Sequence, residues 1–170
     1  MTKLEIEFSC RNGCSSTVDD DVIISLAQAM PGLEILQLGE MPCWTLTGVT
    51  LKGLVALASY CLQLSQLRVH LQARKLAEAT IDTEPPSPSE HAAAIPWTSC
   101  ALTDLQVGEA PIPEWAVSTV ALTLLQIFPQ ILNVEYLNPQ WKRVSETIKL
   151  FKRIGGHIHH ASKTHLPRLQ

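Results

Sequence analysis

One phrase, LxxLxL with close variants, returns at near-constant intervals along the 170 residues, and nothing else in the sequence restricts the possible folds as much. It reads Leu33, Leu36 and Leu38 in LEILQL, Leu64, Leu67 and Val69 in LSQLRV, Leu102, Leu105 and Val107 in LTDLQV, and Ile131, Val134 and Tyr136 in ILNVEY. The N-terminal LEIEF enters the phrase midway with Leu4 and Ile6. Aligned on the fourth position, the copies start at Leu4, Leu36, Leu67, Leu105 and Val134, spaced by 32, 31, 38 and 29 residues. The last three letters alternate apolar and polar, as a half-buried strand requires.

Between the strands lie segments of helical periodicity. In residues 48–69 the helical stripe Leu51, Leu54, Leu57, Ala58, Cys61 gives way directly to the strand phrase beginning at Leu64. The predicted helices are 19–30, 50–61, 114–128 and 141–154, so every strand but the third is followed by one. Acidic residues Asp19 to Asp21 mark the first start, Thr50 is an N-cap for the second, and Pro129 stops the third just after its last turn. The fourth sets Val144, Ile148 and Phe151 against Lys142, Arg143, Lys149 and Lys152. A strand with one apolar face and a helix with one apolar stripe cannot hide both alone, whereas stacked copies bury a continuous interior. The expected class is therefore α/β, built as a solenoid of about five βα units. A doubly wound sheet also alternates strand and helix, but it has no reason to repeat side-chain identities at a fixed spacing.

The text LxxLxL, followed by Cys43 and then by Gly53, Leu54, Leu57, Ala58 and Cys61, resembles the cysteine-containing leucine-rich repeat. The later stretch from Cys100 to Leu132, with WKRVSETIKLFKRIGG after it, is similar to the C-terminal repeats of fungal F-box proteins of the leucine-rich repeat kind. The resemblance implies a curved parallel sheet lined by outer helices. It also implies a non-catalytic role like that of the substrate-recognition part of a cullin-based ubiquitin-ligase receptor, in which the repeats grip the target. No F-box-like segment precedes Leu4, so ligase components are expected only through a missing N-terminal part. The repeat domain is expected over 1–156, with a flexible insertion at 82–92 and a basic, flexible tail at 157–170.

Bulk properties exclude several classes. A net charge of −3, with 17% charged and 46% hydrophobic residues, gives no electrostatic bias toward nucleic acid. The first thirty residues carry Lys3, Glu5, Glu7, Arg11 and Asp19 to Asp21 and contain no secretory apolar core, which points to the cytoplasm or nucleus. The apolar window 116–132 is interrupted by Ser118, Gln126, Pro129 and Gln130, so no membrane span is expected. Five cysteines, an odd number, suit reduced thiols that act mainly as small buried groups.

Parallel strands place equivalent positions about 4.8 Å apart, so the outward residues form ladders that can be read in advance. The first ladder is Glu5, Gln37, Arg68, Gln106 and Glu135; the next outward one is Glu7, Gly39, His70, Gly108 and Leu137. The expected protein-binding residues are Glu5, Gln37, Arg68, His70, Gln106 and Glu135, with a basic centre, acidic ends and a recess at His70 between Gly39 and Gly108. Arg68 can offer a hydrogen-bonding fork to a partner carboxylate, and His70 can sense pH beside it. The plain alternative is a solvated sheet face, with Arg68 hydrogen-bonded to Gln37 and Gln106.

Other motifs carry less. Ser87 before Pro88, and the PxxP of Pro85 to Pro88, read as parts of an insertion loop. Cys10 with Cys14, and His157, His159, His160 and His165, fall in opposite end units and cannot converge on one zinc ion, so no metal and no cofactor are expected. GxSxG, HExxH, GK[ST] and GxGxxG motifs are absent. A nucleophilic Cys100 or Cys43 has no motif to set its geometry, and the chain is not expected to be an enzyme. Two alternatives stand beside the scaffold: a small α/β enzyme with an unrecognised site, and a fragment that packs against a missing half. An uncapped first strand leaves backbone groups open to association. The isolated chain is therefore expected to self-associate, and a monodisperse monomer by light scattering contradicts this.

Overall fold

The computed structural model describes residues 2–6, 18–38, 48–73, 75, 100–107, 110–136 and 138–163, with side chains described up to residue 154. The insertion at 82–92 with Ser87, together with Glu7, Cys10, Cys14, Gly39, Cys43, Gly108, Leu137 and the side chains of the C-terminal histidines, lies outside the described residues. In chain order the elements are β1 (Thr2–Ile6), α1 (Asp20–Ala29), β2 (Leu33–Leu38), α2 (Leu51–Tyr60), β3 (Gln66–Arg68) and β4 (Asp104–Gln106). They continue with a single 3-10 turn (Glu114–Ala116), α3 (Val117–Ile127), β5 (Asn133–Glu135) and α4 (Pro139–Lys163). The fold is α/β, and its five strands form one parallel sheet in the order of the sequence.

Register follows the repeated phrase. Leu4 pairs with Leu36, Leu36 with Leu67, Leu67 with Leu105, and Leu105 with Val134. From Leu36 to Val134 these side chains are buried, in one cluster with Ile23 and Ala27 of α1, Leu54 and Leu57 of α2, Val120 and Leu124 of α3, and Trp141, Val144 and Ile148 of α4. α1 packs on α2 and α3 on α4. Burying one leucine side chain contributes about 1.5–3 kcal/mol, and here nearly every such burial is shared between adjacent strands or helices.

One turn returns each chain segment from helix to strand. Met30, Cys61 and Phe128 end α1, α2 and α3 with φ of −130°, −103° and −125° and ψ of 64°, 70° and 76°. Each donates its N–H to the leucine carbonyl four residues back, Leu26, Leu57 or Leu124, and each accepts at its own carbonyl from the residue three ahead, Leu33, Leu64 or Ile131. Pro31 and Pro129 directly follow two of these caps, where they cannot continue a helix. The strand entries are then tied in series. Ser65 donates its N–H to Glu34 O at 2.8 Å, Thr103 to Ser65 O at 3.0 Å, and Leu132 to Thr103 O at 2.8 Å.

Two of the expected helices differ in detail. The third begins with the 3-10 turn at Glu114, because Pro113 before it offers no side-chain cap. The fourth starts at Pro139, not 141: Asn138 Oδ1 accepts from Gln140 N at 2.9 Å, and proline suits the first helical position. Its backbone runs on through Gly155 and Gly156 to Lys163, past the tail boundary expected at 157. Trp141, fully buried, donates Nε1–H to Ala110 O at 2.8 Å and so fixes α4 to the chain leaving β4.

The N-cap at Thr50 forms as expected, accepting from Lys52 N at 3.3 Å, and Asp19, expected as an acidic residue inside the first turn, is itself the N-cap of α1, accepting from Val22 N at 3.1 Å. The first turn of α1 also caps α2. Asp20 Oδ1 accepts from Thr50 N at 2.8 Å and Gly53 N at 3.1 Å, while Oδ2 accepts from the Thr50 hydroxyl at 2.5 Å. A carboxylate at a helix N-terminus satisfies otherwise orphaned N–H groups and complements the helix dipole. The approach is possible because residue 53 has no Cβ: one built there would stand 2.6 Å from Asp20 Oδ1 and 3.0 Å from Val49 Cγ1.

Asp20→Ala is therefore expected to destabilise the chain by about 1–3 kcal/mol in urea unfolding. Gly53→Ala is expected to destabilise it too, although alanine gains about 1 kcal/mol over glycine in a helix interior. In the Asp20→Ala background the Gly53→Ala change should be markedly less harmful, and additive losses would contradict the inter-helix cap.

Candidate functional site

Among the described residues, the sheet has one apolar face turned to the helices and one polar face left open. Because side chains alternate, the residues on either side of the leucine ladder share the open face. Downstream of the ladder the register aligns Glu5, Gln37, Arg68, Gln106 and Glu135; upstream it aligns Lys3, Ile35, Gln66, Asp104 and Asn133. The expected row is thus a continuous line across all five strands. The upstream row was not anticipated, although the same period of two, read one step back from each leucine, marks it. It contains one apolar member, Ile35, which is only 6% exposed.

Between the rows, over Leu67, is a depression of about 110 Å³ bounded by Gln37, Arg68, Gln106 and Glu135 on one side and by Gln66 and Asp104 on the other. Of the six residues expected to bind, four line it. Glu5 lies in the same row but at the β1 edge, where it pairs with Lys3 at 2.7 Å. His70 sits beyond the end of β3, half-buried, and does not line the depression. The recess expected between Gly39 and Gly108 lies outside the described residues.

The β4–β5 side of the depression is held by hydrogen bonds between side chains. Gln106 Nε2 donates to Glu135 Oε2 at 2.5 Å, and Asn133 Nδ2 donates to Asp104 Oδ1 at 2.8 Å. The Thr103 hydroxyl lies 2.6 Å from Asp104 Oδ2 and 3.2 Å from Ser65 O. It has one proton to give, and the shorter contact to a charged acceptor takes it. Donation from Thr103 and then Asn133 lowers the Asp104 pKa below its ordinary 3.8, against a smaller upward push from burial.

Cys61 and Cys100 are both fully buried. Cys61 Sγ lies 3.6 Å from Met30 O and 3.8 Å from Ala27 O, and Cys100 Sγ lies 3.7 Å from Cys61 O and 3.9 Å from Leu64 O. Each thiol thus meets carbonyls at the end of the preceding helix or in the turn that follows it. Burial, with Cys100 nearby, pushes the Cys61 pKa up to about 11, and burial also raises that of Cys100. Both are held as thiols, the poorly nucleophilic form. Among the described residues there is no His, Cys, Asp or Glu group able to hold a metal ion, and no helix is long and apolar enough to cross a membrane. Compared with known proteins, the chain matches no family model and no curated protein.

Bonds that favour the ionised Asp104 stabilise the fold above the unfolded carboxylate pKa of about 3.9 and are lost as pH falls through the lower folded value. Thr103→Val is expected to raise the Asp104 midpoint toward 3.8 in a carboxyl NMR titration; an unchanged midpoint would contradict the assignment of that proton.

Proposed function

We propose that the chain is a leucine-rich repeat solenoid of about five βα units that serves as a protein-interaction scaffold without catalytic activity. In this reading it works like the substrate-recognition part of an F-box ubiquitin-ligase receptor, in the cytoplasm or nucleus, where thiols such as Cys61 and Cys100 stay reduced. The observation that carries it is the unbroken register of Glu5, Gln37, Arg68, Gln106 and Glu135 across the open sheet face. Five polar side chains in a line at strand spacing make a broad recognition surface and not a closed reaction site.

The connections support the same reading. One turn closes α1, α2 and α3, and the two buried thiols each bridge back to the preceding unit. Lys152 makes the corresponding contact in the last described unit. Its ammonium donates to Ile131 O, the position equivalent to Leu64 O, which in an earlier unit is met by Cys100 from the next one. Burial lowers the Lys152 pKa, as befits an ammonium drawn against the core.

The test is affinity purification with the full chain, its Arg68→Glu and Gln106→Lys double variant, and a helix-side control, Lys149→Glu. A discrete protein client is expected with wild type and control and should drop at least about tenfold with the double variant, equivalent to about 1.4 kcal/mol. Equal recovery by all three would overturn the assignment of the sheet face.

A further inference from the structure

The charges around the depression are not mixed at random. Arg68 lines it from β3, while Asp104 on β4 and Glu135 on β5 lie one and two strands further on. The hydrogen bonds that Thr103, Asn133 and Gln106 give to these carboxylates come from neutral donors. They aim the carboxylates without cancelling their charge. Arg68 is half-buried with Nε shielded from solvent, which keeps its head group near the sheet. Its five N–H donors can serve a neighbour within the chain and a partner carboxylate at once. A ligand carrying only one sign of charge would meet repulsion at one end of the depression.

Dimensions select the backbone form of that ligand. The two rows are two residues apart along each strand, about 6.6 Å, and the floor between them is backbone. A helix, 10–12 Å wide with its side chains, cannot sink between the rows, whereas an extended chain can lie along them, across the strands. Measured along the groove at about 4.8 Å per strand, Asp104 and Glu135 lie one and two steps beyond Arg68, roughly 5 and 10 Å, so a point midway between them is about 7 Å on. In an extended chain, side chains on one face recur every two residues, about 6.8 Å. The spacings agree.

We propose that the depression receives an extended segment of a partner protein with an acid-x-base pattern: Asp or Glu against Arg68 and, two residues away, Lys or Arg against Asp104 and Glu135. This rests on the sheet face being the binding surface. Chain direction is open, so the acidic residue can precede or follow the basic one.

A random peptide library displayed on phage, selected on the full chain, tests this. Selections on Glu135→Lys and on Arg68→Glu, each checked for folding by circular dichroism, run in parallel. Wild type is expected to enrich acid-x-base peptides, in either order, that bind Glu135→Lys at least about tenfold more weakly. Glu135→Lys is solvent-exposed and keeps the test available if Arg68→Glu does not fold. Enriched peptides that weaken on Glu135→Lys but lack the acid-x-base pattern would overturn this proposal and leave the sheet face as the binding surface. Enriched peptides indifferent to both variants, or no enrichment over an empty support, would overturn the proposal and the binding-surface reading together.

Discussion

The rest of the structure depends on one-sided burial of the ladder Leu36, Leu67, Leu105 and Val134. β3, β4 and β5 are each three residues long, and such a strand has too little surface to form a core with its own helix. Each leucine is covered only when the unit before and the unit after lie in register, so the sheet either forms in sequence order or leaves apolar surface wet. Sequence order then has a second consequence that concerns function. Once the leucines align, the residues beside them align too, and the open face acquires polar rows that no single strand could make.

Four kinds of polar contact hold the units at that spacing. The helix-to-strand turn at Met30, Cys61 and Phe128 brings each chain segment back at the same angle without a glycine in the left-handed region. Cys61 and Cys100 place a weak S–H donor beside carbonyls of the preceding unit that a larger side chain could not approach. Asp20 carries the N-terminus of α2 on the first turn of α1. In the last described unit Lys152 supplies, from its own helix, a donor at the position that Cys100 meets in an earlier one. Exposed ion pairs such as Lys52 with Asp21 add little, since water screens both partners.

Much of this is legible in the chain. LEILQL is β2 from its first residue to its last, Thr50 is the cap that its side chain suggests, and the spacing of the leucines foretells which residues pair. What escapes the sequence depends on contacts between units. Asp104 and Asn133 look like ordinary strand residues until Thr103 and the neighbouring strand close a network around the carboxylate. Gly53 reads as part of a helix motif, and only Asp20, 33 residues away in sequence, explains why a methyl group has no room there. The early start of α4 was available in Asn138-Pro139 but was outweighed by the apolar stripe beginning at Trp141. Alternation places His70 on the outward face; in the structure it lies past the end of β3, and the depression forms without it.

A scaffold reading, a solenoid reading and an extended acid-x-base partner all presuppose that each strand touches only its sequence neighbours. Backbone NOEs in solution test this most directly, through cross-strand contacts at Leu36, Leu67, Leu105 and Val134. The account predicts NOEs linking 36 with 67, 67 with 105 and 105 with 134, and none that joins 36 directly to 105 or 134. Any other strand order would contradict it, as would a shift of one residue in these pairs, which would turn the leucines or the polar rows to the wrong face.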